Sequence, residues 1–154
     1  MLGKCLCGLL LLAPIFSFGQ TSALPATQTL PILRRADLPM YPPIAKAAHV
    51  TGEIVIRVTV QSGKVIKTEI VHARVKNRSQ ELMPESGAKW LTLPALENVK
   101  SWRFDTDVNS VIVVNYTYEI AGTATDNPTN PRVEISPSLD VNITARPVKP
   151  VVEY

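Results

Sequence analysis

Residues 52–60 read Gly-Glu-Ile-Val-Ile-Arg-Val-Thr-Val. Alternate positions in this stretch are apolar, namely Ile54, Ile56, Val58 and Val60. Because successive side chains of a strand point to opposite faces of its sheet, this period of two predicts a strand with one buried face. Residues 61–64 (Gln-Ser-Gly-Lys) then favour a tight turn, in which Gly63 can adopt a positive φ. The β-rich residues 65–72 follow, so we expect them to pair back as a hairpin.

Helices are predicted on both sides of this hairpin. The first begins at Tyr41, carries two prolines in its first turn and is ended by residues 49–51. The second is capped by Thr92, has Pro94 in its first turn and stops near Ser101. The chain therefore predicts the order helix, strand, strand, helix before its next alternating segment.

Three further segments of the sequence follow: a long connection, a third main strand and a C-terminal tail. Residues 74–90 show no clear period, and a connection of this length is typical of a functional or disordered loop. Residues 111–120 alternate again and predict a third main strand. Beyond them, residues 132–136 and 139–145 alternate around Pro137-Ser138, so we expect them to add at least one strand to the sheet, with an extra hairpin as one form.

The order and spacing of these pieces resemble the C-terminal domain of the TonB family, the periplasmic end of bacterial energy transducers. The resemblance spans residues 41–71 and 91–120. It is carried by Tyr41-Pro42 with Ala45, Gly52, Gly63-x-Val65, Leu96, Val99, Trp102-Arg103-Phe104 and Val113-Val114-Asn115. The resemblance implies an α+β fold, a two-helix, three-stranded antiparallel sheet sandwich of the TonB C-terminal type. Trp102 and Phe104 are expected to be core anchors in it, with Trp102 packed against the apolar face of 52–60.

The chain departs from the family pattern at identifiable places. Asn98 stands where the family usually has Ala, and Thr106 stands where it usually has Pro. The loop 74–90 is longer than usual, and the long Pro- and Lys-rich spacer of a transducer is missing. These departures favour an interaction domain over a working energy transducer.

The N-terminus predicts a secretory signal. Lys4 is the only charge before the apolar run 8–18, which Pro14 interrupts and which is shorter than the roughly 20 residues of a membrane span. Both cysteines lie in this segment, so a cleaved chain has no thiol chemistry. We therefore expect a periplasmic or secreted protein, with a retained membrane anchor as the alternative. The predicted organisation is a signal peptide at 1–23, a linker at 24–40, a domain at 41–120 and a Pro-punctuated tail at 121–154.

Motifs for catalysis or cofactor binding are missing from the sequence. His49 and His72 have no metal-ligand spacing around them, and Asp105-x-Asp107 lacks the glycine and glutamate of a calcium loop. We expect no enzyme activity, no cofactor and no metal. The formal net charge of +3 is not concentrated as in nucleic-acid binders, so no nucleic-acid partner is expected. A basic run at residues 74–78 could meet an anionic partner or be a solvated loop.

The resemblance also implies a binding mode. In the family, the exposed edge of the last strand accepts an extended peptide from an outer-membrane transporter, which is β-augmentation. Here that edge would be 111–120, and the expected partner-binding residues are Val113, Asn115, Thr117 and Glu119. One alternative is an assembly module whose sheet edge is closed by its own tail or by a second copy, as a homodimer. Another is a membrane-anchored transducer, if the N-terminal segment is retained.

Overall fold

A computed structural model describes residues 30–105, 109–126 and 130–149, and the predicted signal peptide 1–23 lies outside them. Strands and helices alternate along the described chain. Their bounds are β1 Ile32–Arg35, α1 Pro43–Ala47, β2 Thr51–Gln61, β3 Lys64–Lys76, α2 Glu85–Lys100, β4 Arg103–Asp105, β5 Ser110–Ile120, β6 Arg132–Ile135 and β7 Asp140–Ala145.

The described strands form one curled sheet of seven, in the order β1-β4-β3-β2-β5-β7-β6. The β5–β7 pair is parallel, and the other neighbouring pairs are antiparallel. The predicted two-helix, three-stranded antiparallel sandwich is therefore wrong. Among the described residues 48% are in strands and 18% in helices, so this part of the chain is mostly β, and its sheet is mixed.

The strands that make the difference lie largely outside the predicted domain 41–120. β1 is part of the predicted linker 24–40, and β6 and β7 form an antiparallel hairpin within the predicted tail 121–154. β4 consists of three residues between α2 and β5. The alternation of 132–136 and 139–145 predicted β6 and β7, whereas β1 (Ile-Leu-Arg-Arg) does not alternate and β4 has only three residues.

The core lies on one face of the sheet. β2 buries its four predicted apolar positions there, and β5 and β7 contribute further alternate residues. The helix α2 packs against this face through Leu91, Ala95 and Val99, each 0% exposed. Trp102 is also 0% exposed and belongs to the same core cluster, which confirms its predicted burial with the apolar face of β2.

Helix α2 begins at Glu85, earlier than the predicted start at Thr92, so Pro94 lies inside it. Proline in a helix interior removes one hydrogen bond and costs about 3 kcal/mol. The helix nevertheless continues, because Leu91 and Ala95 on either side of Pro94 are completely buried. The loop predicted at 74–90 is shorter in the structure, because α2 already begins at Glu85 and β3 extends to Lys76.

Asn98 connects three distant parts of this core. Its Oδ1 accepts hydrogen bonds from Trp102 Nε1 at 3.2 Å and from Tyr116 Oη at 2.7 Å. Its Nδ2 donates to the carbonyl oxygen of Asp37 at 2.8 Å. An alanine at this position could make none of these bonds. Asn98 therefore ties helix α2 to β5 and to the segment after β1.

Candidate functional site: the edges of the sheet

The strand predicted to be the open edge, β5, lies inside the sheet. β7 pairs with it from Asn115↔Asp140 to Ile120↔Ala145. Asn115, Thr117 and Glu119 therefore do not lie on an open edge, because the chain's own tail covers it. Val113 precedes the paired part and is 47% exposed. The structure thus separates Val113 from the other three expected partner-binding residues.

Asp140 fixes the covering strand in place. Its carboxylate accepts hydrogen bonds from Ser138 Oγ at 2.6 Å and from Asn115 Nδ2 at 2.7 Å. The bonds from Ser138 and Asn115 lower the pKa of Asp140 below its usual value, and Ser136 adds to the effect. Asn115 is thus engaged inside the molecule, where it joins β5 to β7.

The outer edge of β6 is poorly suited to strand addition. This strand has only four residues, Arg132–Ile135, and its Arg132 and Glu134 side chains form an ion pair. Short edge strands with charged side chains are a common way in which proteins prevent further pairing.

Strand β3 leaves a long edge open. At one end it pairs with β4 only at Lys64↔Arg103. At the other end Met83 N donates to Val75 O at 2.8 Å, next to the bridge Lys76↔Leu82. Between these contacts, over residues 65–74, no backbone group in the described part of the chain pairs with this edge. At roughly 3.4 Å per residue the free edge is about 30 Å long, more than a typical strand needs.

The direction of the free backbone groups follows from the register. Val75 O faces outward, because it accepts from Met83 rather than from β2. The peptide groups of an antiparallel strand point alternately to its two neighbours. Ala73 and Thr68, which lie opposite Ile54 and Val58, therefore point outward, whereas Glu69 and Arg74 pair with β2.

Two register irregularities interrupt the β2–β3 pairing, one between Val55 and Ile56 and one between Thr59 and Val60. Each places an extra residue on the β3 side of the pair, which increases the local twist of that strand. Apolar side chains in the middle of β3 are exposed. Ile66, Ile70 and Val71 are 58%, 38% and 48% exposed.

The sequence did not identify this edge, although it held one signal of it. Residues 66–74 (Ile-Lys-Thr-Glu-Ile-Val-His-Ala-Arg) are rich in β-formers but do not alternate strictly between apolar and polar. A strand with one well-buried face would alternate, as 52–60 does. Which of its edges is free depends on the position of β4 and of the tail, and the local pattern does not encode that.

Within 30–105, 109–126 and 130–149, no group of three or more His, Cys, Asp or Glu side chains could hold a metal ion. Neither helix of this part is long and apolar enough to cross a membrane.

The open β3 edge is thus the feature of the described molecule that is best suited to contact with another chain. No protein-family model and no curated protein matches this sequence. The TonB resemblance accordingly stays a prediction.

Proposed function

We propose that this chain is a non-enzymatic interaction domain, periplasmic or secreted, that binds an extended peptide or partner strand by β-augmentation. The observation that carries the proposal is the unpaired edge of β3 over residues 65–74. The proposed location rests on the predicted signal peptide at 1–23.

The physical basis is the row of free peptide groups. Main-chain hydrogen bonds give an added strand its affinity, and side chains on the two faces of the sheet give its selectivity. The β2–β3 hairpin holds this edge in place, because β2 is paired on both sides along most of its length. A partner would therefore meet an ordered template and would bear most of the ordering entropy itself.

The proposal keeps the binding mode implied by the TonB resemblance and changes the strand that provides it. β7 already occupies the edge of β5 from Asn115 onward. An outer-membrane transporter, the partner class of the resembling domains, would dock here on β3 unless it displaced β7.

A second candidate function is an assembly module whose β5 edge is closed by its own tail. The parallel β5–β7 pairing favours it. The two candidates differ in what binds β3: a separate extended peptide in the first, and another subunit of an assembly in the second.

The test uses three blocked peptides of about eight residues, the length of a typical strand. Valine alternates with glutamate in the first, with glutamine in the second and with lysine in the third. Each is titrated into the isotope-labelled full chain, and amide shifts are followed by NMR. We expect at least one peptide to move the resonances of residues 65–74 without comparable changes on β6.

Backbone methylation supplies the matched control. The amides of the best-binding peptide are N-methylated either at every valine or at every polar residue. In an added strand one set of amides faces β3 and the other faces solvent, so only one of the two methylations should abolish binding. The proposal is contradicted if no peptide binds at concentrations up to about 1 mM, which corresponds to a binding free energy of about −4 kcal/mol. Equal effects of the two methylations would contradict it as well.

A further inference from the structure

We infer that the partner of the β3 edge is an acidic extended segment in which carboxylate residues alternate with apolar ones. The inference rests on the proposed function and names the chemistry of the chain that would be bound. It is drawn from the charges and the two faces of β3.

The face of β3 away from the core carries exposed, positively charged side chains. Lys67 and Arg74 lie on this face, opposite Thr59 and Glu53 of β2. Both are exposed, and neither forms an ion pair within 4 Å among the described residues. Glu53 lies opposite Arg74 and reduces the positive potential there, but the two side chains form no ion pair.

The one acidic residue of β3 is already engaged. Glu69 Oε2 lies 3.3 Å from Arg57 Nη1, on the neighbouring strand and away from the open edge. A partner strand would therefore meet the cations of β3 more readily than its carboxylate.

Further cations continue the charge at both ends of the free edge. Lys64 precedes it, and Lys76 and Arg78 follow it, the latter in the turn after β3. The nearest carboxylate of that turn, Glu81, accepts a hydrogen bond from Asn77 Nδ2 at 3.1 Å. The basic run 74–78 that the sequence contains is thus placed at the end of the open edge.

The core-side face of β3 determines which residues of a partner strand should be apolar. Thr68, Ile70 and Ala73 lie opposite the buried Val58, Ile56 and Ile54 of β2, on the core side of the sheet. Ile70 is still 38% exposed there. Apolar residues of an added strand would extend this face, while its alternate residues would lie beside Lys67 and Arg74.

The same charges argue against a second copy of this chain as the occupant. If two copies paired through their β3 edges, the Lys67 and Arg74 side chains of one copy would lie close to those of the other in the joined sheet. Like charges in such positions are destabilising. An acidic segment converts this repulsion into attraction.

The test compares the affinities of the three alternating peptides. We expect the Val/Glu peptide to bind at least about fivefold more tightly than Val/Gln, and Val/Lys to bind most weakly, as two or three favourable cross-strand pairs would produce. The preference should shrink as salt is raised above about 0.1 M, where the screening length is roughly 10 Å.

A charge reversal on the protein supplies the second arm. Lys67→Glu with Arg74→Glu should invert the order, so that Val/Lys binds best. The control is Arg132→Glu with Arg146→Glu, two exposed arginines on the β6–β7 side, which changes the net charge equally. It should leave the order unchanged.

The outcomes separate the two claims. If Val/Gln or Val/Lys binds the natural sequence as tightly as Val/Glu, the acidic-partner inference is wrong and β-augmentation stands. If the control inverts the order as the β3 variant does, only net charge matters and the inference fails. Concentration-dependent dimerisation through β3, seen by sedimentation, would replace the acidic segment with a second copy. If none of the peptides binds, the proposed function itself fails.

Discussion

Asn98 is a polar side chain on which a largely apolar core depends. It accepts hydrogen bonds from Trp102, which is 0% exposed, and from Tyr116, whose pKa is raised chiefly by burial and secondarily by Tyr118. A buried donor left without an acceptor costs roughly 1–3 kcal/mol. Asn98→Ala should therefore lower the free energy of unfolding by about 3 kcal/mol, measured by urea denaturation.

The neighbouring Glu97 provides the control for Asn98. It is exposed and pairs with Lys100 at 2.6 Å on the helix surface, an interaction that contributes about 0.5 kcal/mol or less. Glu97→Ala should change stability little. If Tyr116→Phe costs as much in the Asn98→Ala background as in the natural sequence, the two side chains are not coupled and our account of Asn98 is wrong.

Trp102 should be the most costly single residue to truncate. It packs with Phe104 and Tyr116 at ring-centroid distances of 6.2 and 6.3 Å. Trp102→Ala should destabilise the protein by about 3–5 kcal/mol in the same denaturation experiment. A loss near zero would show that the indole is not part of the core.

At the residue scale, the sequence predicted burial better than hydrogen bonding. The burial of Trp102 follows from its helical spacing with Leu96 and Val99, which is a local property. Asn98 could only be noted as a departure from a family pattern. Its partners Asp37 and Tyr116 are distant in the chain, and only the packed fold brings them together.

The attachment of β7 to β5 should depend on pH through Asp140. The pKa of this carboxyl is lowered in the folded state by hydrogen bonds from Ser138, Asn115 and Ser136. Its contribution to stability is therefore fully present above the unfolded-state pKa of about 3.9 and is lost as pH falls through the lower folded-state value. Urea denaturation from pH 7 downward should show Asp140→Asn less stable at pH 7, with the difference shrinking in acid.

An unchanged difference between Asp140→Asn and the natural sequence across that range would contradict a role for the charged form. Ser138→Ala removes the shortest of the three hydrogen bonds, at 2.6 Å, and leaves the carboxylate in place. It should reproduce part of the effect, which separates the hydrogen bonds from the charge itself.

At the element scale, alternating segments were predicted well, including the short strands β6 and β7 expected at 132–136 and 139–145, whereas segments without a clear period were not. The hairpin of β2 and β3 and its turn are present, with Gly63 at a φ of 71° as expected. The start of α2 was misplaced because Pro94 is a strong local signal for a first turn, whereas the burial of Leu91 is a tertiary effect. β1 (Ile-Leu-Arg-Arg) does not alternate between apolar and polar residues, so it could not be told from a linker.

At the scale of the whole molecule, we expect the stability of the core to require the last two strands, β6 and β7. Leu139, Val141 and Ile143 are at most 2% exposed. Burial of such side chains contributes roughly 1.5–3 kcal/mol each, a large part of the stability of a small domain. A chain ending at Gly122 should lose its cooperative thermal transition or self-associate through β5, measured by calorimetry and sedimentation.

The matched control for this truncation retains the tail and weakens only the outer strand. Glu134→Ala removes the partner of Arg132 at the exposed edge of β6. It should leave the melting temperature nearly unchanged. A truncated chain that stays monomeric and melts as the full chain does would mean that β7 is dispensable.

At the scale of the whole sheet, the sequence does not show which strand has an unpaired edge. The resemblance placed the partner on 111–120, and the same sequence contained the alternating residues 139–145 that cover part of it. The order of strands is a long-range property, set by how the tail and β4 pack around the core. The open edge of β3 therefore emerges only from the complete topology.

Residue-resolved amide exchange along β3 distinguishes a free strand edge from a paired one. In the free protein, the outward amides of Thr68 and Ala73 should exchange fast, whereas those of Glu69 and Arg74, bonded to β2, should exchange slowly. Saturation with the Val/Glu peptide should then slow Thr68 and Ala73 and leave the amides of β6 unchanged. Slow exchange at Thr68 and Ala73 before any peptide is added, or no slowing after saturation, would contradict an open edge that accepts a partner strand.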